Sequence, residues 1–172
     1  MTDLLQHPAE ILYETRETGI GLWKWAYHPD GRMFAEFKSH GTFFGLPWLH
    51  MTWGRSPETM RSVTARGIVA IGRFAYGGLA IGQVSGGVFA VGQLGIGLLF
   101  GLGQATSGVV AVGQLAIGGL LGVGQLCCGQ VAIGQLGLGV YVLAQIGVGD
   151  HVWDMRQADP LAVQFFRQLL FK

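Results

Sequence analysis

Residues 87–96 read GVFAVGQLGI, a stretch with no charge, with glycine five apart at positions 87 and 92 and again at 95. Near-copies flank it on both sides: GIVAIGRFAY, GGLAIGQVSG, GLLFGLGQATS, GVVAVGQLAI, GGLLGVGQLCC, GQVAIGQLGL and GVYVLAQIGV. A marker residue recurs at Arg73, Gln83, Gln93, Gln104, Gln114, Gln125, Gln135 and Gln145. Each unit divides into two pentads of the form Gly, variable, apolar, small, apolar. Such a fixed period comes before every other feature in deciding the fold.

A helix does not suit the period. At 100° per residue a ten-residue step turns the marker by about 280°, so the glutamines would scatter around the axis. The 24 glycines between Gly67 and Gly149 would each cost a helix about 0.5–1 kcal/mol against alanine. Stacked coils suit it better. Short strands alternate inward and outward, and glycine takes the corners, where positive φ is expected. Coils spaced by about 4.8 Å turn equivalent positions into ladders. The expected fold class is mainly β: a β-solenoid with a small N-terminal β-rich cap and a C-terminal helix. The third pentad position, apolar in every pentad from Val69 to Ile146, is expected to face inward. Ile71, Ile81, Val91, Val112 and Ile133 are expected to face out.

Two units have eleven residues. Gly97–Gly103 and Gly118–Gly124 carry the same extra residue 21 positions apart. If a bulge packs on another bulge, a coil holds about 20 residues on four sides. Gln83, Gln104, Gln125 and Gln145 then form one amide ladder, with Arg73, Gln93, Gln114 and Gln135 forming another on the opposite side. Cys127-Cys128 would lie over Thr106-Ser107. A two-sided coil of ten residues is the alternative.

The pentad, as in Gly72-Arg73-Phe74 and Gly82-Gln83-Val84, resembles that of the pentapeptide-repeat proteins, with Gly in place of Ala and Gln in place of Asn. The resemblance implies a four-sided right-handed β-solenoid. The segments Gly45-Leu-Pro-Trp-Leu-His50 and Ala65-Arg-Gly-Ile-Val-Ala-Ile-Gly72 are similar to a group of uncharacterised bacterial proteins with AIG-type repeats. That likeness covers roughly residues 40–149; it implies the fold and no activity.

Charge divides the chain into three parts, expected as 1–66 (an α/β cap), 67–149 (the repeats) and 150–172 (an amphipathic helix). Of 21 charged residues, only Arg73 lies between Gly67 and Gly149. The net charge of +1 creates no field that favours nucleic acid. Before the repeats, Leu4–Arg16 reads as a short helix interrupted at Pro8. Trp23–Tyr27 and Met33–Lys38 read as a hairpin around Pro29-Asp30-Gly31. Leu46–Trp53 reads as a third strand, and Ser56–Thr59 as a turn or one helical turn with Ser56 capping. Such a sheet would cover the open edge of the first coil. After the repeats, Asp159-Pro160 reads as a helix start. Leu161, Phe165, Phe166, Leu169 and Leu170 form an apolar stripe that either caps the last coil or docks on a membrane surface or partner.

Candidate chemistry is sparse. His40 or His50 with Glu36 is the one acid–base pairing available, and Trp23, Trp25, Trp48 and Trp53 are candidates for ligand stacking. No nucleotide, zinc or nucleophile motif occurs, and adjacent Cys127-Cys128 suit neither a disulfide framework nor a zinc site. No catalytic residue, cofactor or metal is expected. The start MTDLLQHPAE lacks a basic stretch followed by an apolar run, so a cytoplasmic address, or the cytoplasmic face of a membrane, is expected. The expected function is structural: an apolar solenoid surface used for homo-oligomer formation, docking on a larger protein assembly or membrane-surface contact. An integral membrane protein with glycine-zipper helices in 67–149 is the alternative.

Overall fold

The computed structural model describes residues 12–170 and is mainly β. Its elements are β1 (Glu14–Thr18), β2 (Gly21–Tyr27), β3 (Met33–Ser39), β4 (Thr42–Phe43), β5 (Leu46–Pro47), β6 (Leu49–Trp53), β7 (Thr64–Ile71), β8 (Phe74–Trp153) and α1 (Pro160–Leu170). The 67–149 segment is strand apart from a short break after β7, and no helix among the described residues is long and apolar enough to cross a membrane. The glycine-zipper helices of the alternative reading are therefore not what this segment forms.

The order in the main sheet is β1-β2-β3-β6-β7-β8. β1, β2, β3 and β6 run antiparallel. β6 then lies parallel to β7, with Leu49 opposite Val69, so the N-terminal sheet continues into the repeats without a break. The hairpin turn is built as its sequence specifies. Gly31 takes a φ of 81°, its N–H donates to His28 O at 2.9 Å, and Asp30 Oδ1 accepts from Arg32 N–H. Glu14–Arg16 is strand, not the end of a helix; the rest of the expected helix, Leu4–Ile11, lies outside the described residues. The expected third strand is divided at Trp48 into β5 and β6. Ser56–Thr59 forms a turn, with Met60 N–H donating to Ser56 O at 2.8 Å.

The repeats stack at ten residues, not twenty. Thr64 pairs with Phe74, Ala70 with Ala80 and Ile71 with Ile81, all in parallel. Farther along, Val84 N–H donates to Arg73 O and Met155 N–H to Gln145 O. A Cβ on Gly87, Gly103, Gly124 or Gly149 would run into the carbonyl oxygen of the glycine ten or eleven places earlier. This replaces the twenty-residue, four-sided coil, and the bulges explain why. A Cβ on Gly97 would strike Phe100 O, and one on Gly118 would strike Leu121 O, so each eleven-residue unit folds its extra residue into a local bulge. The bulges do not stack on one another. The next coil roofs each with a glycine: the Cβ positions of Gly108 and Gly129 lie only 3.1–3.2 Å from bulge backbone atoms. A missing side chain, rather than a second bulge, makes the room. Cys127 accordingly sits two coils beyond Thr106, with Ala116 between them.

Corner glycines also have a different cause from the one expected. The positive-φ glycines among the described residues are Gly31, Gly45 and Gly54, none of them in the repeats. Repeat glycines are required by close approach of backbone to backbone.

The inward position is the fourth of each regular pentad, not the third, and in the bulged pentads it passes to Gly101 and Gly122. Ala65, Ala70, Ala75, Ala80, Ser85 and Ala90 are buried, and so are Thr106, Ala111, Ala116, Cys127, Ala132 and Val142. None of the third-position residues is buried: Leu94, Leu115, Leu126 and Leu136 are 40–51% exposed. A ten-residue coil brings its two sides so close that only small side chains fit between them. Volumes are matched across the gap. Gly101 faces Thr106, and Gly137 and Gly147 lie against Val142, with Cβ positions 2.7 and 2.8 Å from its Cγ1. Where one side grows, the other is glycine.

Both ends are closed. β6 covers the first coil. At the last, Asp154 Oδ2 accepts from Gly147 N–H at 3.1 Å, while Arg156 donates to Gly147 O at 2.7 Å and to the Asp154 carboxylate. These contacts hold the Asp154 carboxyl well below the usual carboxylate range, with Arg156 the largest cause. Asp159 caps α1 by accepting from the N–H groups of Leu161 (2.8 Å) and Ala162 (3.1 Å).

Gly95 is the inward glycine with space: its Cβ position lies 3.5–3.6 Å from its neighbours. Gly95→Ala should hold or raise stability by about 0.5–1 kcal/mol through a less flexible unfolded chain. Gly147→Ala should lower it by about 1–3 kcal/mol, because the methyl meets Val142 and Val152. Denaturant titration of both variants against the parent checks the pair. Thr106 Oγ1 is buried with no hydrogen-bond partner among the described residues. Thr106→Val, of nearly equal shape, should therefore stabilise by about 1 kcal/mol; a lower thermal midpoint would contradict this.

Candidate functional site

The most extended feature of the molecule is the outer wall of the coils. With coils of ten and eleven residues, the markers form one row rather than two. Arg73, Gln83, Gln93, Gln104, Gln114, Gln125 and Gln135 all line a single open trough, next to a parallel row formed by Phe74, Val84, Leu94, Ala105, Leu115, Leu126 and Leu136. All seven marker glutamines, from Gln83 to Gln145, are exposed. Arg73 Nε donates to Gln83 Oε1 at 2.9 Å, which starts the row. Gln145 ends it beside Trp153 and Met155. At about 4.8 Å between coils, each amide is within reach of the next. The trough carries no carboxylate, and its one charge is Arg73.

The rest of the wall is apolar. The fifth pentad position adds Ile96, Ile117, Leu138 and Val148, 51–61% exposed, and the opposite pentad adds Phe89, Leu99 and Leu120 at 46–50%. Ile81 is 38% exposed, while Ile71, Val91, Val112 and Ile133 are half-buried.

In α1, Ala162 and Phe166 are fully buried, and Phe165 stacks on Tyr141 with ring centroids 4.4 Å apart. These contacts cap the last coil. Of the five residues in the expected stripe, Phe165 and Phe166 serve this internal contact, and Leu161, Leu169 and Leu170 stay half-exposed.

The structure brings His50 and Glu36 together and leaves His40 elsewhere. His50, 4% exposed, accepts Arg66 N–H at Nδ1 (2.9 Å) and donates Nε2–H to Glu36 Oε1 (3.0 Å). Lys38 Nζ lies 2.8 Å from the same carboxylate. The hydrogen bond from His50, followed by the Lys38 contacts, lowers the Glu36 carboxyl from 4.5 to about 2 against its burial. Both ring nitrogens of His50 are thus engaged within the sheet. The His50–Glu36 pair fastens β3, β6 and β7 together. His40 instead contacts Thr18 O, at 3.1 Å.

Three of the four tryptophans share one face of the sheet: Trp23 and Trp25 line an open cavity of about 390 Å³, and Trp25 and Trp53 flank Ala35 in register. Trp23 packs on Phe37 (4.9 Å), Trp25 donates to Glu14 (2.9 Å), and Trp48 stacks on Phe43 (5.6 Å). Trp53 is 74% exposed and lies beside the loop after β6. Cys127 is buried, and burial raises its thiol pKa; Cys128 is partly exposed. Among the described residues no three His, Cys, Asp or Glu side chains gather as metal ligands do. Comparison of the chain with protein-family models, curated proteins and solved structures finds no match.

A carboxyl held at about 2 in the fold and near 4.5 when unfolded contributes stability above pH 4.5, which is lost as the pH falls toward 2. Glu36→Gln should therefore lower the thermal midpoint at neutral pH and narrow the gap to the parent between pH 4.5 and 2. Melts across that range check it; parallel pH curves would contradict the assignment.

Proposed function

We propose that the protein is a non-enzymatic structural or assembly protein: a two-sided β-solenoid of ten residues per coil, whose apolar walls associate with further copies of the chain. The observation that carries this reading is the distribution of side-chain size. Small residues fill the interior, and the large apolar ones stand outside in continuous rows. Exposed apolar surface beyond a few hundred Å² marks an interface.

The dimensions favour several copies over a single pair. About eight coils at about 4.8 Å, with sides of three to four residues, give each side roughly 40 by 10 Å. A standard interface takes about 800 Å² from each partner. One side supplies about half of that, so lasting association uses more than one side of each copy. The neutral amide row lies alongside the apolar row and supplies hydrogen bonds that align neighbours. A cytoplasmic address, or the cytoplasmic face of a membrane, belongs to the same reading.

Analytical ultracentrifugation without detergent should give particles at multiples of 18.4 kDa. Replacing one outer row (Leu115→Gln, Leu126→Gln and Leu136→Gln together) should shift them toward the monomer with the circular dichroism spectrum retained. A parent that remains monomeric at tens of micromolar would overturn the reading, as would a variant that assembles like the parent. Monomers that pellet with liposomes would move the contact to lipid.

A further inference from the structure

We propose that the cavity between the β2–β3 turn, the loop after β6 and the first coil binds a small anion carried on a flat apolar group, that is, a carboxylate or phosphate on an aromatic ring. The cavity measures about 410 Å³, within the range of small-molecule sites. Arg32, Arg55 and Arg73 line it from three separate segments, together with His28, Ser62 and Trp53. No acidic residue is among its lining residues.

Charge balance points to an anion. Arg32 is paired with Asp30, but neither Arg55 nor Arg73 has a carboxylate within 4.0 Å among the described residues. Two guanidinium groups without counter-charge at one cavity create a positive field, and their planar donor forks match carboxylate and phosphate oxygens. His28 is held in place because its Nε2–H donates to Arg55 O at 2.8 Å. That bond also fixes the backbone from which Arg55 projects.

Shape and strain agree. The exposed indole of Trp53 offers a flat face, and Met33 and Met60 add apolar lining. Met60 has a φ of 55°, in the left-handed region that a side-chain-bearing residue rarely adopts. Gly54 has a φ of 77°, and a Cβ there would strike Met33 O. The glycine accommodates its turn without strain, so the unfavourable backbone lies at Met60, as happens at ligand clamps.

The repeat itself gives the most specific argument. Seven of eight units place glutamine at the marker position. The exception, Arg73, falls in the one unit whose marker also lines this cavity. Arg73 spends one N–H, that on Nε, on Gln83; the remaining guanidinium donors have no carboxylate within 4.0 Å among the described residues and are left for an anion at the cavity.

The test is calorimetric titration of the full-length chain with phenyl phosphate and with benzoate, using benzyl alcohol as the neutral control. At least one anion should bind at least about tenfold more tightly than the alcohol, with affinity falling as salt is added. The tighter of the two identifies the anion as phosphate or carboxylate. Arg73→Gln, which restores the residue of the other units, should weaken that binding about tenfold with an unchanged thermal midpoint. Arg55→Gln should do the same and carries the test if the first variant alters folding. Trp53→Ala should weaken phenyl phosphate or benzoate more than inorganic phosphate or acetate. The absence of heat from both anions at about 10 mM, or undiminished binding in both arginine variants, would overturn the proposal.

Discussion

The closeness of one coil to the next governs this molecule. Parallel pairing at a ten-residue step places each corner directly against the carbonyl of the corner before it. No side chain fits there, so the corners are glycine from Gly67 to Gly149, with Ala144 the departure in the last full unit. The same short circuit brings the two sides of a coil together, and the interior then accepts only alanine-sized groups or a larger residue facing glycine. Glycine content, core composition and volume matching all follow from one spacing.

That spacing also determines the surface. A typical domain hides its large apolar residues and stabilises itself by removing them from water. The repeats mostly hide alanine, serine, threonine and cysteine and leave leucine, isoleucine and phenylalanine outside. Stability within the stack then rests more on backbone hydrogen bonds from coil to coil, each contributing about 0.5–1.5 kcal/mol, than on a bulky core. The large apolar residues of the repeats stand exposed in rows along the walls. The ends need separate treatment, because a terminal coil presents unpaired backbone. β6 extends the sheet at one end; Asp154, Arg156 and the helix carrying Phe166 close the other. A fold of this kind is apolar along its walls and closed by other elements at its tips.

Much of this is legible in the sequence. The decad period excludes a helix, Pro29-Asp30-Gly31 specifies its turn, and Asp159-Pro160 marks the helix start to the residue. The phase of the strands is harder to read. Two of five pentad positions are apolar and large, and hydrophobicity alone assigns them to the core. The decisive signal is size: Ala65, Ala70, Ala75 and Ala80 recur at five-residue intervals, and a coil this narrow has room only for them. The coil length is obscured by the eleven-residue units, since a bulge under Gly108 or Gly129 looks, in sequence, like one that needs a partner of its own kind. His50 and Glu36 are visible as candidates, but the Arg66 N–H that occupies the imidazole is not, because a backbone donor leaves no trace in residue type. The cavity at Trp53 is hidden for another reason: Arg32, Arg55 and Arg73 are about twenty positions apart along the chain, and only the folding of the sheet onto the first coil brings them to one place.

In-register stacking also has an architectural consequence. Each coil touches only the one before and the one after, so adding or removing a whole decad would leave every other contact as it was. The molecule can therefore change length only in steps, each about one strand spacing. Its two capped tips act like the ends of a ruler whose graduations are written in glycine.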